Sequence, residues 1–251
     1  MSTARATAAR LLVHLLDEQS THRPVHVVLT GGTVGIATLT EVAASPLRDA
    51  VDWSGVHLWW GDERFLPDGH PDRNETQARR ALLAHLDLPA ENVHPVPASD
   101  ARGIGSPEES AAAYATSLAA FAPAGPASEA MAPAFDVVLL GVGPDGHVAS
   151  LFPGHPALDV QDVAAVGVQG SPKPPPERVS LTYPALATAA QVWFVVAGAD
   201  KAEAVARALA GDDVVRTPAA NVAGRDRTLW LLDLTAAGSP IAAPPVPAPP
   251  G

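Results

Sequence analysis

The sequence contains no cysteine. That removes disulfides, thiolate metal ligands and cysteine nucleophiles together, and it fits a reducing cytoplasm, the expected location. Lysine is almost as scarce. Of the 16 Lys+Arg residues only Lys173 and Lys201 are lysines. Set against 27 Asp+Glu, these cations leave a formal net charge of −11. Such a chain lacks the basic stripe that displaces counterions from nucleic acid, and it is unsuited to an anionic membrane surface. Neither is expected as a partner. A small anionic ligand stays open, because a few cations can reverse the field inside a cleft. Long apolar runs are also missing. Nothing approaches the roughly 20 residues of a membrane span. The run Leu11 to Leu16 is interrupted by His14 and has no small-x-small cleavage site behind it, so no signal peptide is expected. His-Glu-x-x-His, Gly-x-Ser-x-Gly and the Walker pattern are all absent, which disfavours a zinc site, a serine-hydrolase elbow and a nucleotide cofactor.

What is present is a packed globular composition, 47% apolar and 17% charged. The length suits one large α/β domain or two smaller ones. Residues 5–19 carry leucines and alanines at helical spacing. A strand over 25–30 ends at Gly31-Gly32-Thr33, and helical spacing resumes from Ile36. A second strand, 56–60, runs into Gly61-Asp62-Glu63-Arg64, followed by a polar loop and a helix over about 74–86. Ser106, Pro107 and Glu109 open a helix over 107–121 as N-cap, N1 and N3. The strongest strand, 135–140, leads into Gly141-Val142-Gly143-Pro144-Asp145-Gly146-His147. Further strands are expected at 163–168, 178–182, 191–197 and 228–232, with helices at 184–190 and 199–210. Continuous apolar strands alternating with helices predict a mostly parallel, Rossmann-like sheet covered on both faces. The domain is expected to span 1–235. Residues 236–251, with six prolines, read as a loosely attached tail.

In such sheets ligands bind beyond the carboxyl ends of the strands, and loops 30–35, 61–75 and 141–147 sit there. The turn Gly31-Gly32-Thr33 is either a phosphate cradle on a helix N-terminus or an ordinary tight turn. Asp62, Glu63 and Arg64 form either a solvated ion pair or a functional group of carboxylate and guanidinium, the latter able to grip an oxyanion. His147, held by flanking glycines, is either a general base or a structural loop histidine; an ordinary imidazole titrates near pH 6.5. Ser171 to Arg178 is a stiff, proline-rich segment carrying two cations. Lys201 falls in the first turn of a helix, where a cation opposes the macrodipole unless an anion joins it.

Taken together, these segments resemble the 6-phosphogluconolactonase family. The likeness is carried by Gly31-Gly32-Thr33, by Trp60-Gly61-Asp62-Glu63-Arg64-Phe65-Leu66-Pro67 with Asn74, and by Phe135 to Gly154 through Asp145-Gly146-His147. Ser171-Pro172-Lys173-Pro174-Pro175 with Arg178, and Gly198 with Lys201-Ala202, complete it. The resemblance implies a three-layer α/β/α sandwich shared with the hexosamine-6-phosphate deaminases and isomerases. It implies hydrolysis of 6-phospho-D-glucono-1,5-lactone without metal or organic cofactor, by a monomer or homodimer whose partner is that small phosphosugar lactone. In the implied site His147 is the general base and Asp62 orients it, with Asp145 the second choice for that role. Arg64 or backbone N–H groups face the oxyanion. Gly31, Gly32, Thr33, Arg178 and Lys201 hold the phosphate, with Lys173 a weaker candidate. The chain departs from the family pattern at Val34-Gly35, where a hydroxyl residue and proline are usual, and at Arg73, where a serine usually precedes Asn74. A hexosamine-6-phosphate deaminase is the alternative enzyme, but that family usually has a glutamate at the position of Phe152. A non-catalytic sugar-phosphate sensor is the other alternative.

Overall fold

The computed structural model describes residues 2–21, 24–124 and 130–238. Its centre is a five-stranded parallel sheet of β1 (Val25–Leu29), β2 (Val56–Trp60), β4 (Val137–Leu140), β7 (Gln191–Val196) and β8 (Arg227–Leu232), in the order β2-β1-β4-β7-β8. All five residues of β1 and all four of β4 are buried. Helices cover both faces, which is why these strands read as nearly continuous apolar runs, interrupted only by the buried His26 of β1. The helices are α1 (Thr3–Thr21), α2 (Gly32–Ala44), α3 (Asn74–Ala81), α4 (Pro107–Ala119), the single turn α5 (Tyr183–Leu186) and α6 (Ala202–Leu209). The chain leaves β1 toward β2 on one side of the sheet and later places β4 on the other. The carboxyl ends of β1 and β4 therefore flank the topological switch point.

The other three strands form a separate antiparallel sheet in the order β3-β6-β5, made of β3 (Asp62–Arg64), β5 (Ala165–Val168) and β6 (Arg178–Leu181). The strands expected at 163–168 and 178–182 are found here, outside the parallel layer, and the expectation that 61–75 is loop throughout is corrected by β3. A strand of three charged residues carries no periodicity of its own; it exists because Asp62 and Arg64 pair with Ser180 and Arg178. This register sets Arg64 beside Arg178. Tyr114 of α4 fixes the preceding residue. Its hydroxyl accepts from Trp60 N at 2.9 Å and donates to Trp60 O at 3.0 Å, fastening the end of β2 just before the charged strand.

Other boundaries differ by a turn. The helix expected over 74–86 ends at Ala81 and is followed by one 3-10 turn, Leu83–His85. The helix expected over 184–190 is the short α5. The helix expected over 199–210 opens with a 3-10 turn, so Lys201 stands at the N-cap of α6. Of the residues expected in a tail, Ala236 is buried, and 239–251 lie outside the described residues.

Near the amino ends of β1 and β2, His26, His57, His94 and Trp59 form a run of stacked rings that Phe121 meets edge-on or tilted. His57 Nδ1 lies 2.9 Å from His94 Nε2, and the two rings are 7° from parallel. Burial pushes both imidazoles down, and the neighbouring His57 helps hold His94 at about 4. The sign follows from proton binding. Between pH 6.5 and about 4 the unfolded chain takes up a proton at His94 that the folded chain refuses, so stability falls as pH is lowered through that window. Thermal melts at pH 7.5, 5.5 and 4.5 should show this slope. His94→Phe, which keeps a ring stacked on Trp59, should flatten it; an unchanged slope would assign the acid sensitivity elsewhere.

Candidate active site

A cavity of about 740 Å³ opens beyond the carboxyl ends of the parallel strands. Its first wall is the turn after β1. Gly31 is the N-cap of α2 and offers no side-chain cap, so the first-turn N–H groups stay available at the cavity. A Cβ on Gly31 would stand 1.9 Å from Asn74 Oδ1, so the glycine is required by the close approach of that amide. Asn74 is buried and donates through Nδ2 to Asp62 O at 2.8 Å, joining the first two functional loops.

The charged loop is built from behind. Glu63 is 1% exposed, and its carboxylate accepts from the backbone N–H groups of Arg64, Asn74 and Glu75 at 2.8, 2.7 and 2.9 Å. It thereby caps α3 from a distant strand. Burial pushes the Glu63 carboxyl up to about 7, against the pull of Arg73 and these donors. Arg73 is buried as well and gives hydrogen bonds to Leu66 O at 3.0 Å and Val96 O at 2.7 Å. Its departure from the family serine thus has a bracing role. Arg64 lines the cavity while donating to Asp72 O at 2.6 Å.

His147 is held on three sides. Its Nδ1 lies 2.6 Å from Asp145 Oδ1. The Phe152 ring packs 4.6 Å away, centroid to centroid. Gly143 lies against the pair, where a Cβ would stand 2.0 Å from His147 Nδ1 and 2.3 Å from Asp145 Oδ1. The turn is closed by Gly143 N donating to His147 O and Gly146 N donating to Gly143 O, both at 2.9 Å. Burial pushes the Asp145 carboxyl up, but the hydrogen bond and charge of His147, with Lys173, outweigh it and hold it at about 2. With Nδ1 engaged, Nε2 is the ring nitrogen left for the cavity that His147 lines. The expected order of partners is therefore reversed: Asp145, not Asp62, contacts the imidazole. Asp62 instead accepts from Ser150 Oγ at 2.7 Å and sits 3.9 Å from Arg178 Nη1, so it ties strand to loop.

The cations come from two segments. Arg178 spends Nε on Pro175 O at 3.2 Å, and Nη2 on Lys173 O at 3.1 Å and Pro174 O at 3.2 Å. Its main visible work is to fold the proline segment that presents Lys173. Burial pushes the Lys173 ammonium down, while Asp145 pulls it up and Lys201 and Arg178 push it down further. Lys201 Nζ lies 2.9 Å from Asp200. Lys173, Lys201 and Arg178 all line the cavity, and Arg178 in addition braces the segment that carries Lys173. Among the described residues no group of three His, Asp or Glu side chains could hold a metal ion.

A family model described as glucosamine-6-phosphate isomerases/6-phosphogluconolactonase matches residues 1–230. The chain belongs to this family. It is 53% identical to a 6-phosphogluconolactonase of Streptomyces coelicolor, covering 93% of this chain and 89% of that one. It is 50% identical to the 6-phosphogluconolactonase of Mycobacterium tuberculosis, over 84% of this chain and 83% of that one. The solved 6-phosphogluconolactonase of Trypanosoma brucei superposes with a TM-score of 0.79 at 29% identity, covering 94% and 93% of the two chains.

Within this family member, Gly31, Gly32, Thr33, Asp62, Arg64, His147, Lys173, Arg178 and Lys201 all line the one cavity, with Asp145 directly behind His147. The reading from sequence gave no role to Asn74, Asp200 and Asp233, which line the cavity too. Asn74 was findable as the residue opening a helix after the charged loop. Asp233 was not, because its carboxylate works on the backbone, accepting from Gly198 N at 3.1 Å and Ala236 N at 2.6 Å. A charge-assisted hydrogen bond to a phosphate is worth about 1.5–3 kcal/mol, so Lys201→Ala should raise KM by about 10–100-fold with a smaller change in kcat. Steady-state kinetics at two ionic strengths checks this; an unchanged KM would remove Lys201 from the anion site.

Proposed function

We infer that this chain is a 6-phosphogluconolactonase, hydrolysing 6-phospho-D-glucono-1,5-lactone to 6-phosphogluconate in the oxidative pentose phosphate pathway. The observation that carries the reading is the His147–Asp145 pair opening into a cavity that Lys173, Lys201 and Arg64 also line. His147 Nε2 takes a proton from water as the water oxygen bonds to the lactone carbonyl carbon. Arg64 or the first-turn N–H groups of α2 face the developing oxyanion. Collapse of the tetrahedral species breaks the ring C–O bond, and the proton on His147 passes to the departing ring oxygen. Asp145 holds the tautomer that leaves Nε2 free and offsets the imidazolium charge. Lys173 and Lys201 hold the 6-phosphate. The reaction uses neither metal nor organic cofactor.

The buried Phe152 supports this reading over a deaminase, since an apolar ring beside His147 transfers no proton in a sugar ring-opening step. Residues 1–235 act as one catalytic domain, as a monomer or homodimer in the cytoplasm. Among the described residues no helix is long and apolar enough to cross a membrane. The test compares freshly made 6-phosphogluconolactone with unphosphorylated gluconolactone. The phosphorylated lactone should be hydrolysed far faster at equal concentration, and equal rates would remove the phosphate from the recognition scheme.

A further inference from the structure

We propose that Arg207 is a positioning residue for the His147–Asp145 pair, acting on the backbone of Asp145 from outside the cavity. The Asp145 side chain has one hydrogen-bonding side-chain partner among the described residues, the His147 ring. Where its carboxylate stands therefore depends on where the Asp145 backbone is held. Two successive carbonyls of the turn are anchored from elsewhere in the fold. Arg207 Nη2 donates to Asp145 O at 3.2 Å, and Ala219 N donates to Gly146 O at 3.0 Å.

The guanidinium is itself fixed. Its Nε donates to Thr217 Oγ1 at 3.1 Å, which holds the fork, whereas the 2.6 Å pair of Nη1 with the 83% exposed Glu203 is a surface contact that adds little. Thr217 is fully buried, and its hydroxyl donates onward to Asp212 Oδ2 at 2.8 Å. Arg207 is thus a rigid fork joining α6, the 217–219 segment and the catalytic turn. The same helix is capped by Lys201, so one short element sets an anion-binding cation at its start and the backbone behind the general base near its end. Removing the fork frees the Asp145 carbonyl and loosens the Asp145–His147 hydrogen bond without touching the cavity wall.

The kinetic consequence rests on the lactonase reading; the spectroscopic one does not. Arg207→Ala is expected to lower kcat about 10-fold or more, while KM stays within about twofold. The acid limb of its pH profile should move to lower pH, because less of the imidazolium charge is offset. The low-field proton resonance that the 2.6 Å His147 Nδ1–Asp145 hydrogen bond should give in the native chain is expected to be lost. Glu203→Ala is the control: it removes an exposed ion pair on α6 but leaves the fork to Asp145 and Thr217, so kcat should hold even if stability drops. Should Arg207→Ala not fold, Arg207→Lys keeps the charge and loses the fork, and an intermediate fall in kcat at unchanged KM is expected. Native kcat with an intact resonance in Arg207→Ala, native kcat in Arg207→Lys, or an equal fall of kcat in Glu203→Ala would overturn the proposal. If the native chain does not accelerate lactone hydrolysis, yet has the resonance and Arg207→Ala loses it, the lactonase reading fails while the positioning role stands.

Discussion

Replacing His147 with alanine is expected to lower kcat/KM by about 10²–10⁴-fold, the range of a positioned general base. The fold should persist, because the ring lies at the cavity and its contacts are Asp145, Phe152 and the Gly143 turn. The lysines proposed to hold the substrate anion, Lys173 and Lys201, lie on other segments, so KM should change less than kcat. The variant also leaves Asp145 without the partner that holds its carboxyl at about 2, so that carboxyl should move up toward the ordinary range. Steady-state kinetics with a circular dichroism check decides it. A kcat/KM within a few-fold of native, in a folded variant, would mean that water is activated by another group.

The second large effect comes from a residue with no functional atom. Gly143→Ala puts a methyl 2.0 Å from His147 Nδ1 and 2.3 Å from Asp145 Oδ1, which no real pair of atoms tolerates. The backbone is fixed by the hydrogen bond from Gly143 N to His147 O, so the imidazole and the carboxylate must move apart instead. A displacement near 1 Å in a catalytic group costs about 10²-fold, and kcat is expected to fall by that much or more. Overpacking of this kind costs about 1–3 kcal/mol, so the melting temperature should drop as well. A kcat loss at an unchanged KM separates misplacement of the base from general loosening of the cavity. Native kcat in Gly143→Ala would mean the pair tolerates a geometry quite different from this one.

Much of the architecture was legible because burial on both faces leaves a strong mark. Val137–Leu140 is wholly apolar and Val25–Leu29 is interrupted only by the buried His26, so neither shows a polar stripe to confuse with a helix. Their glycine-rich exits then located the site at the switch point. The strand Asp62–Arg64 left no such mark, since its pairing partner lies more than a hundred residues away at Arg178–Ser180. The identity of the His147 partner was hidden for a different reason. Asp62 and Asp145 both sit at strand ends. Only the closed turn between Gly143 and His147 brings Asp145 onto Nδ1, while Ser150 draws Asp62 away. Arg178 looked like a phosphate ligand from its charge and neighbours. Its Nε and Nη2 also serve the carbonyls of Lys173, Pro174 and Pro175, which only chain geometry shows, while Nη1 remains beside Asp62 at the cavity. The two lysines fared better. A chain of net charge −11 with only two lysines places both at one cavity.

The most direct test is the initial rate of 6-phosphogluconate formation from freshly generated 6-phosphogluconolactone, corrected for the spontaneous reaction and run with the native chain and His147→Ala side by side. The native chain should accelerate hydrolysis strongly, and the variant should fall close to the uncatalysed rate. A native rate no greater than the spontaneous one, or ammonia release from glucosamine 6-phosphate in its place, would contradict the assignment.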